Sequence, residues 1–304
     1  MEPKRVALAA VAAALCAASG AHAGPWSLAP GEYYAELSGS FYSAGTFYDD
    51  AGARRPLGGL AEQRAVTSRL ELGWRKRASL QLTLPALSVT SRPPAGLPAT
   101  STGFGDFRLG LRYGLWTGKR AVALQFQWTT PTGYDARIQP GLGDGHQKLD
   151  AELELGSPLG RFGFLQAGAG ARYDYRTLGG RSTALTGAFG SDRDWANDAL
   201  IDGAIGLWLG GGLQVAGVYQ GAFVVNTGRA ILDAQGNPEE LKVDDQQAGV
   251  RVTYRVDDRL DAFAGSWHSP GGRNVLHLDQ FYCGVAWKQT RLGRNQGFLG
   301  SARP

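Results

Sequence analysis

The sequence predicts an all-β fold: a transmembrane, antiparallel, up-and-down β-barrel of about twelve strands, following a cleaved secretory leader. Three observations predict it. From Gly103 to Gly133, Phe107, Leu109, Leu111, Tyr113 and Leu115 alternate with Asp106, Arg108, Gly110, Arg112, Gly114 and Trp116. After Thr117, Gly118 and Lys119 the alternation resumes, with Val122, Leu124, Phe126 and Trp128 opposite Ala121, Ala123, Gln125, Gln127 and Thr129. A helix would smear that period of two around its axis, so the stretch is a hairpin with one apolar and one polar face. Each arm, tilted by about 45°, is long enough to cross the roughly 25 Å apolar band of an outer membrane. The second observation is that the connections between such stretches run long, short, long, short, as barrels with external loops and periplasmic turns do. The third is that aromatic residues gather at both strand ends. Trp74, Tyr113, Trp116, Phe162, Trp208, Tyr254 and Trp287 mark the short-turn side, and Phe41, Phe107, Trp128, Tyr175, Phe223 and Phe281 the loop side. Amphipathic rings favour the two membrane–water boundaries.

The elements follow in order. Residues 1–23 read as a signal peptide: Lys4 and Arg5, an apolar run from Val6 to Ala18, then Ala21-His22-Ala23 with the cut after Ala23. That run is too short for a helical span, and nothing later is apolar enough for one. Cys16 invites a lipoprotein reading, but Leu15 stands directly before it where a small residue is needed. The barrel is expected over residues 24–289. Strand one is Gly31–Tyr42, and a polar loop through Asp49, Asp50, Arg54 and Arg55 leads to strand two, Arg64–Arg75. Strand three is Ala78–Thr90, and the loop Ser91–Thr102 leads to the hairpin of strands four and five. Strand six is Gln147–Gly156, strand seven Phe162–Arg176, strand eight Asn197–Leu209 and strand nine Leu213–Asn226. Strand ten is Asp245–Val256, strand eleven Arg259–Trp267 and strand twelve Val275–Gln289. Residues 290–304 are expected to form a periplasmic tail beyond Trp287, the last aromatic of strand twelve.

Composition narrows the class. The 304 residues carry a formal charge of only +4, with both signs closely interleaved, which argues against nucleic acid as a partner. The 45 glycines are scattered through strands and not bunched in a linker. Without the leader Cys283 is the sole cysteine, so backbone pairing and packing must hold the fold. Composition alone would also permit a secreted β-sandwich.

With the apolar face toward lipid, the polar face must line the lumen. An arginine at the bilayer midplane costs about 2–4 kcal/mol, which sets the sign of the assignment. The lumen-lining candidates are Glu36, Arg69, Glu71, Asp106, Arg108, Arg112, Glu152, Glu154, Arg172, Asp174 and Arg251. Such charges can brace the wall by pairing or line a solute path. Only Gly24–Pro30 precedes the first strand, which is too short for a separate hatch domain. No cofactor is expected, and no metal site, because His146 and His277 lack neighbours at ligand spacing.

The stretch Gly103-Phe104-Gly105-Asp106-Phe107-Arg108-Leu109-Gly110-Leu111-Arg112-Tyr113, with Pro131-Thr132-Gly133-Tyr134 and Gly141-Leu142-Gly143-Asp144-Gly145, resembles the outer-membrane barrel family of phenol-degradation (meta-pathway) transporters, itself distantly similar to fatty-acid and aromatic-hydrocarbon channels. The resemblance implies a bacterial outer-membrane channel or facilitator for small hydrophobic or aromatic solutes. The expected partners are outer-membrane lipids, such a solute and the barrel-assembly machinery. Selectivity is expected from the lumen charges and the loops Phe47–Leu60, Thr177–Trp195 and Thr227–Asp244. The alternative is a non-transporting surface barrel for adhesion or envelope contacts. A lesser alternative is a lipid hydrolase using His268 and Ser269, although adjacent strand residues point to opposite sides.

Overall fold

The computed structural model describes residues 25–134, 140–143, 145–177, 197–226, 231–232, 238–239 and 243–289; the expected leader and tail lie outside them. Twelve barrel strands are present: β1 (Tyr33–Tyr48), β2 (Arg54–Arg75), β3 (Ala78–Arg92), β4 (Ala99–Phe104 and Phe107–Thr117), β5 (Ala121–Thr130), β6 (His146–Pro158), β7 (Gly163–Thr177), β8 (Asn197–Gly210), β9 (Leu213–Asn226), β10 (Asp244–Arg255), β11 (Leu260–Arg273) and β12 (Asp279–Gln289). Each pairs antiparallel with the next. The ring closes where β12 pairs with β1 from Tyr33↔Gln289 to Ser43↔Asp279. Closure satisfies the backbone of every strand and leaves no open edge in the apolar layer.

Side-chain exposure follows the predicted alternation. Leu37, Leu72, Leu109, Leu153, Leu165, Ile205 and Val250 are exposed, whereas Glu36, Glu71, Arg112, Glu154 and Arg251, from the opposite faces of their strands, are buried. In a soluble protein so many exposed leucines would be a liability; around a closed barrel they form the lipid-facing belt. Exposed Trp74, Trp116, Phe162, Tyr254 and Trp287 lie toward the short-turn ends, and exposed Phe41 and Phe281 toward the loop ends.

Several expected boundaries are corrected. The supposed loop Phe47–Leu60 is largely strand: β1 runs to Tyr48 and β2 begins at Arg54, with Tyr48↔Arg54 still in register. Only residues 49–53 turn, where Asp49 accepts from the Ala53 and Ala51 amides and from Arg55 Nε. Those donors hold the Asp49 carboxyl below its ordinary range, the Arg55 bond foremost. Likewise β4 begins within the expected loop Ser91–Thr102, and β11 continues to Arg273. Strand twelve starts at Asp279, and the separate pair Val275–Leu276 joins the top of β1. Above the membrane both faces of a strand meet water, so the hydropathy period that reveals the strand stops before its hydrogen bonds do.

Two aromatic assignments also change. A register shift between Gly114 and Trp116 makes a bulge, so Leu115 and Trp116 are both exposed, although alternation had put Trp116 on the polar face. Trp208 is only half-exposed, between exposed Leu207 and Leu209, and packs on buried Phe164 at 5.6 Å between ring centroids; it is not a girdle residue. The expected loop Thr177–Trp195 falls almost wholly outside the described residues. Of Thr227–Asp244, the described part includes the short pairing of Ile231–Leu232 with Pro238–Glu239.

Candidate lumenal site

The buried face of the barrel is layered along its axis. In the half nearer the short turns, Arg112 on β4 is fully buried and gathers residues from β2 to β6. Its Nη1 donates to both carboxylate oxygens of Glu71 at 3.0 Å, Nε donates to Glu154 Oε2 at 2.8 Å, and Nη2 donates to Gln125 Oε1 at 2.7 Å. Ser79 Oγ donates to Glu71 Oε1 at 2.6 Å. A planar fork of donors between two carboxylates is the arrangement an arginine fills and a lysine cannot.

A second cluster joins β1 to β10. Arg251 Nη2 donates to Glu36 Oε2 at 3.1 Å, and Tyr34 Oη donates to the same oxygen at 2.5 Å. The Arg251 guanidinium lies 3.8 Å from the centroid of the Phe263 ring on the intervening β11. Arg69 sits directly across from Glu36 in the β1–β2 register. On the far wall Arg172 Nε donates to Asp150 Oδ1 at 2.8 Å and approaches Asp198 at 3.8 Å. Glu152 lies within hydrogen-bond reach of Asp202 on β8. The two carboxylates meet across β7 because its inward positions there are Gly168 and Gly170. A Cβ at Gly168 would strike Asp202, and one at Gly170 would lie 2.5 Å from Glu152 Cγ. Asp174 pairs with Lys148 in the β6–β7 register, and its side chain lies outside the described residues.

Asp106 and Arg108 sit higher, at a recess lined also by Gln63, Thr67, Thr83 and Leu142. Asp106 lies in the break between the two segments of β4, where its Oδ1 accepts from Tyr134 Oη at 2.5 Å. Tyr134 Oη in turn accepts from the Gly145 amide at 3.0 Å. Thr132 Oγ1 donates to the Phe104 carbonyl at 3.1 Å. The motifs around Gly103, Pro131 and Gly141 therefore converge into one latch that holds Thr132, Tyr134, Leu142 and Gly145 against the wall. The approach is close where they meet: a Cβ at Gly143 would strike Tyr134 Oη and Asp106 Oδ1, and one at Gly103 would push the tip of Leu142, 2.7 Å away, aside.

Above the recess the inward face of β1–β3 turns apolar. Tyr42, Ala44, Ala61, Ala65, Leu87 and Val89 are buried together with Leu276 and Leu278 of the β11–β12 connection, and Phe47, Leu57 and Leu142 pack against them. The leucines cover this end of the wall as a roof. Sequence reasoning missed them, although Leu87 and Val89 continue the polar face of Ser79, Gln81 and Thr83. Two large apolar residues on a lumenal face were the available signal.

At the opposite mouth the segment 25–29 forms a floor. Leu28 is fully buried with Tyr34, Phe263 and Ala286 from β1, β11 and β12. A Cβ at Gly156 on β6 would meet Pro25 and Trp26, one at Gly114 on β4 would lie 2.9 Å from Ser27 Oγ, and one at Gly73 on β2 would strike the Ala29 carbonyl. Strands six and twelve lie on opposite sides of a twelve-strand ring, so the segment crosses the lumen beneath Arg112. The segment before β1 is no separate hatch domain, yet it reaches across this mouth, which sequence reasoning did not anticipate.

His268 and Ser269 do not form a nucleophile–base pair. His268 is exposed, and Ser269 is fully buried with its hydroxyl accepting from the Leu278 amide at 3.2 Å. His268 instead meets Asp279, its partner across the β11–β12 register, and His277.

No family model and no curated protein sequence matches the chain. Solved structures do. The COG4313 outer membrane channel from Pseudomonas putida F1 is 13% identical over 89% of this chain and 100% of that one, with a TM-score of 0.71. The translocator domain of the autotransporter NalP from Neisseria meningitidis is 11% identical over 84% of this chain and 88% of that one, with a TM-score of 0.49. The NanC porin is 11% identical over 84% and 100%, with a TM-score of 0.48. The first of these likenesses, the closed ring of twelve antiparallel strands and the continuous apolar belt agree: the chain has the fold of a bacterial outer-membrane β-barrel.

Proposed function

We propose that this barrel is an outer-membrane channel for small solutes that carry an apolar or aromatic body, and that a polar or anionic group on the solute is read lower down by the lumenal arginines. The observation that carries the reading is the change of the inward wall of β1–β3. Its outer half is apolar, from Tyr42 to Leu278. Directly below, a recess places Ala65, Pro85 and Leu87 beside Gln63 and Arg108. An apolar surface and a charged side chain meet there, the pairing that a solute with an apolar body and a polar group would use. Glu36, Arg69, Glu71, Arg112, Glu152, Glu154, Arg172 and Arg251 then line or brace the remaining path. The likeness to the Pseudomonas putida channel supports the same reading, as does the resemblance in the Gly103–Tyr113 motif.

Single-channel recording of the refolded protein in planar bilayers tests it. Discrete conductance is expected, with current blocks by benzoate and by phenol that weaken when Leu87 is replaced by serine. A barrel shown folded by heat-modifiable gel mobility, yet silent at all potentials, would overturn the channel reading in favour of a surface role.

A further inference from the structure

We propose that His268, His277 and Asp279 form a surface site for a divalent transition-metal cation of the zinc type at the extracellular rim. The three come from separate pieces of one hairpin: the upper end of β11, the connection after it and the first residue of β12. One donor atom from each lies within 4.8 Å of the others. His268 Nδ1 is 2.6 Å from Asp279 Oδ1, and the two imidazole rings meet edge to face with centroids 5.0 Å apart. Two imidazole nitrogens and one carboxylate oxygen are a donor set that zinc accepts, with a fourth position left to water. On metal–donor bonds of about 2.0–2.1 Å, tetrahedral ligand atoms stand roughly 3.3 Å apart. Reaching that spacing asks the longest separation to close from as much as 4.8 Å and the His268–Asp279 pair to open from 2.6 Å, exchanging its hydrogen bond for two metal bonds; both side chains, 56% and 59% exposed, have room to turn.

The backbone holds the site in place before any ion arrives. The His277 amide donates to the Thr46 carbonyl at 3.0 Å, and the Ser269 amide donates to the Leu278 carbonyl at 3.0 Å. Tyr48 Oη donates to the Ser269 carbonyl at 2.8 Å. The connection turns at Asn274, whose φ of 54° lies in the left-handed region, and its amide donates to Asp49. His277 packs against the Tyr48 ring at 5.7 Å between centroids. Fixing the second ligand in this way removes much of the ordering entropy that a surface site pays. Arg54 opposes the ion: it bonds Thr46 Oγ1 and its charge faces His277. His277 and Asp279 flank Leu278, and Leu276 lies next to His277, so an ion held there also pins the leucines packed on the β1–β3 wall.

The test is titration of the untagged, chelator-stripped barrel in detergent with zinc by calorimetry and with cobalt by visible absorption. One ion per chain is expected, with a cobalt spectrum of nitrogen and oxygen donors. His268→Ala and Asp279→Asn are each expected to weaken zinc by at least about tenfold, and Arg54→Gln to tighten it. Both ligand substitutions are at exposed positions, and heat-modifiable mobility confirms folding of each variant. Absence of binding in the wild type, or equal affinity in wild type and His268→Ala, overturns the site. Either outcome is independent of whether the barrel conducts.

Discussion

Replacing Arg112 by methionine removes the one cation that Glu71 and Glu154 share, and both carboxylates stay buried in place. Breaking a buried ion cluster from one side costs about 3–5 kcal/mol, because the remaining charge has neither partner nor water. Urea unfolding of the barrel in lipid vesicles, followed by gel mobility, is expected to show a loss of that order for Arg112→Met. The triple variant that also carries Glu71→Gln and Glu154→Gln is expected to recover most of it, since its neutral amides can satisfy one another. A single variant as stable as wild type would mean that water reaches the cluster from below. The arginine and both glutamates were readable from alternation alone. The amide and hydroxyl that complete their coordination, Gln125 and Ser79, were not singled out, because uncharged polar residues on an inward face carry no distinctive sequence signal.

At the scale of the element, the faces of the strands were legible and their ends were not. Period-two hydropathy exists only where one face meets lipid, so β2 from Arg64 to Arg75 could be read but its outward extension from Arg54 could not. Bulges defeat the reading locally, as at Gly114 and Trp116, because one extra residue flips every later side chain. The break at Gly105 and Asp106 has a different use. It turns Asp106 to the Tyr134 hydroxyl, and the connection so held delivers Leu142 to the recess. A hydrogen bond to a charged acceptor contributes about 1.5–3 kcal/mol. Tyr134→Phe is therefore expected to shift the latch toward release by about tenfold or more, raising open-channel occupancy in bilayer recordings. Thr132→Val, which loses only a neutral bond to the Phe104 carbonyl, is expected to have the smaller effect. Equal gating in Tyr134→Phe and wild type would show that Leu142 stays in place without the latch.

Across the whole molecule, two inward-packed features stand in series along the lumen: the leucine cover on the β1–β3 wall toward the outer end and the segment 25–29 at the inner end. Neither is a separate domain. The floor could not be anticipated, because a short apolar segment such as Pro25-Trp26-Ser27-Leu28 looks like the tail of a leader until its burial against β6 and β12 is known. Leu28 is its anchor, and truncating a fully buried leucine to alanine costs about 2–5 kcal/mol. Leu28→Ala is thus expected to loosen the floor while leaving the ring of strands intact. Deletion of residues 25–29 is expected to remove it. Resistances in series add, so the larger one governs the current. If the floor is the narrower closure, the deletion raises unitary conductance by itself and Tyr134→Phe adds little. With the roof the narrower, the deletion is nearly silent until combined with Tyr134→Phe, and the double variant conducts more than either alone. Unchanged conductance in all three variants would place the constriction between the closures, at Arg112 and its carboxylates.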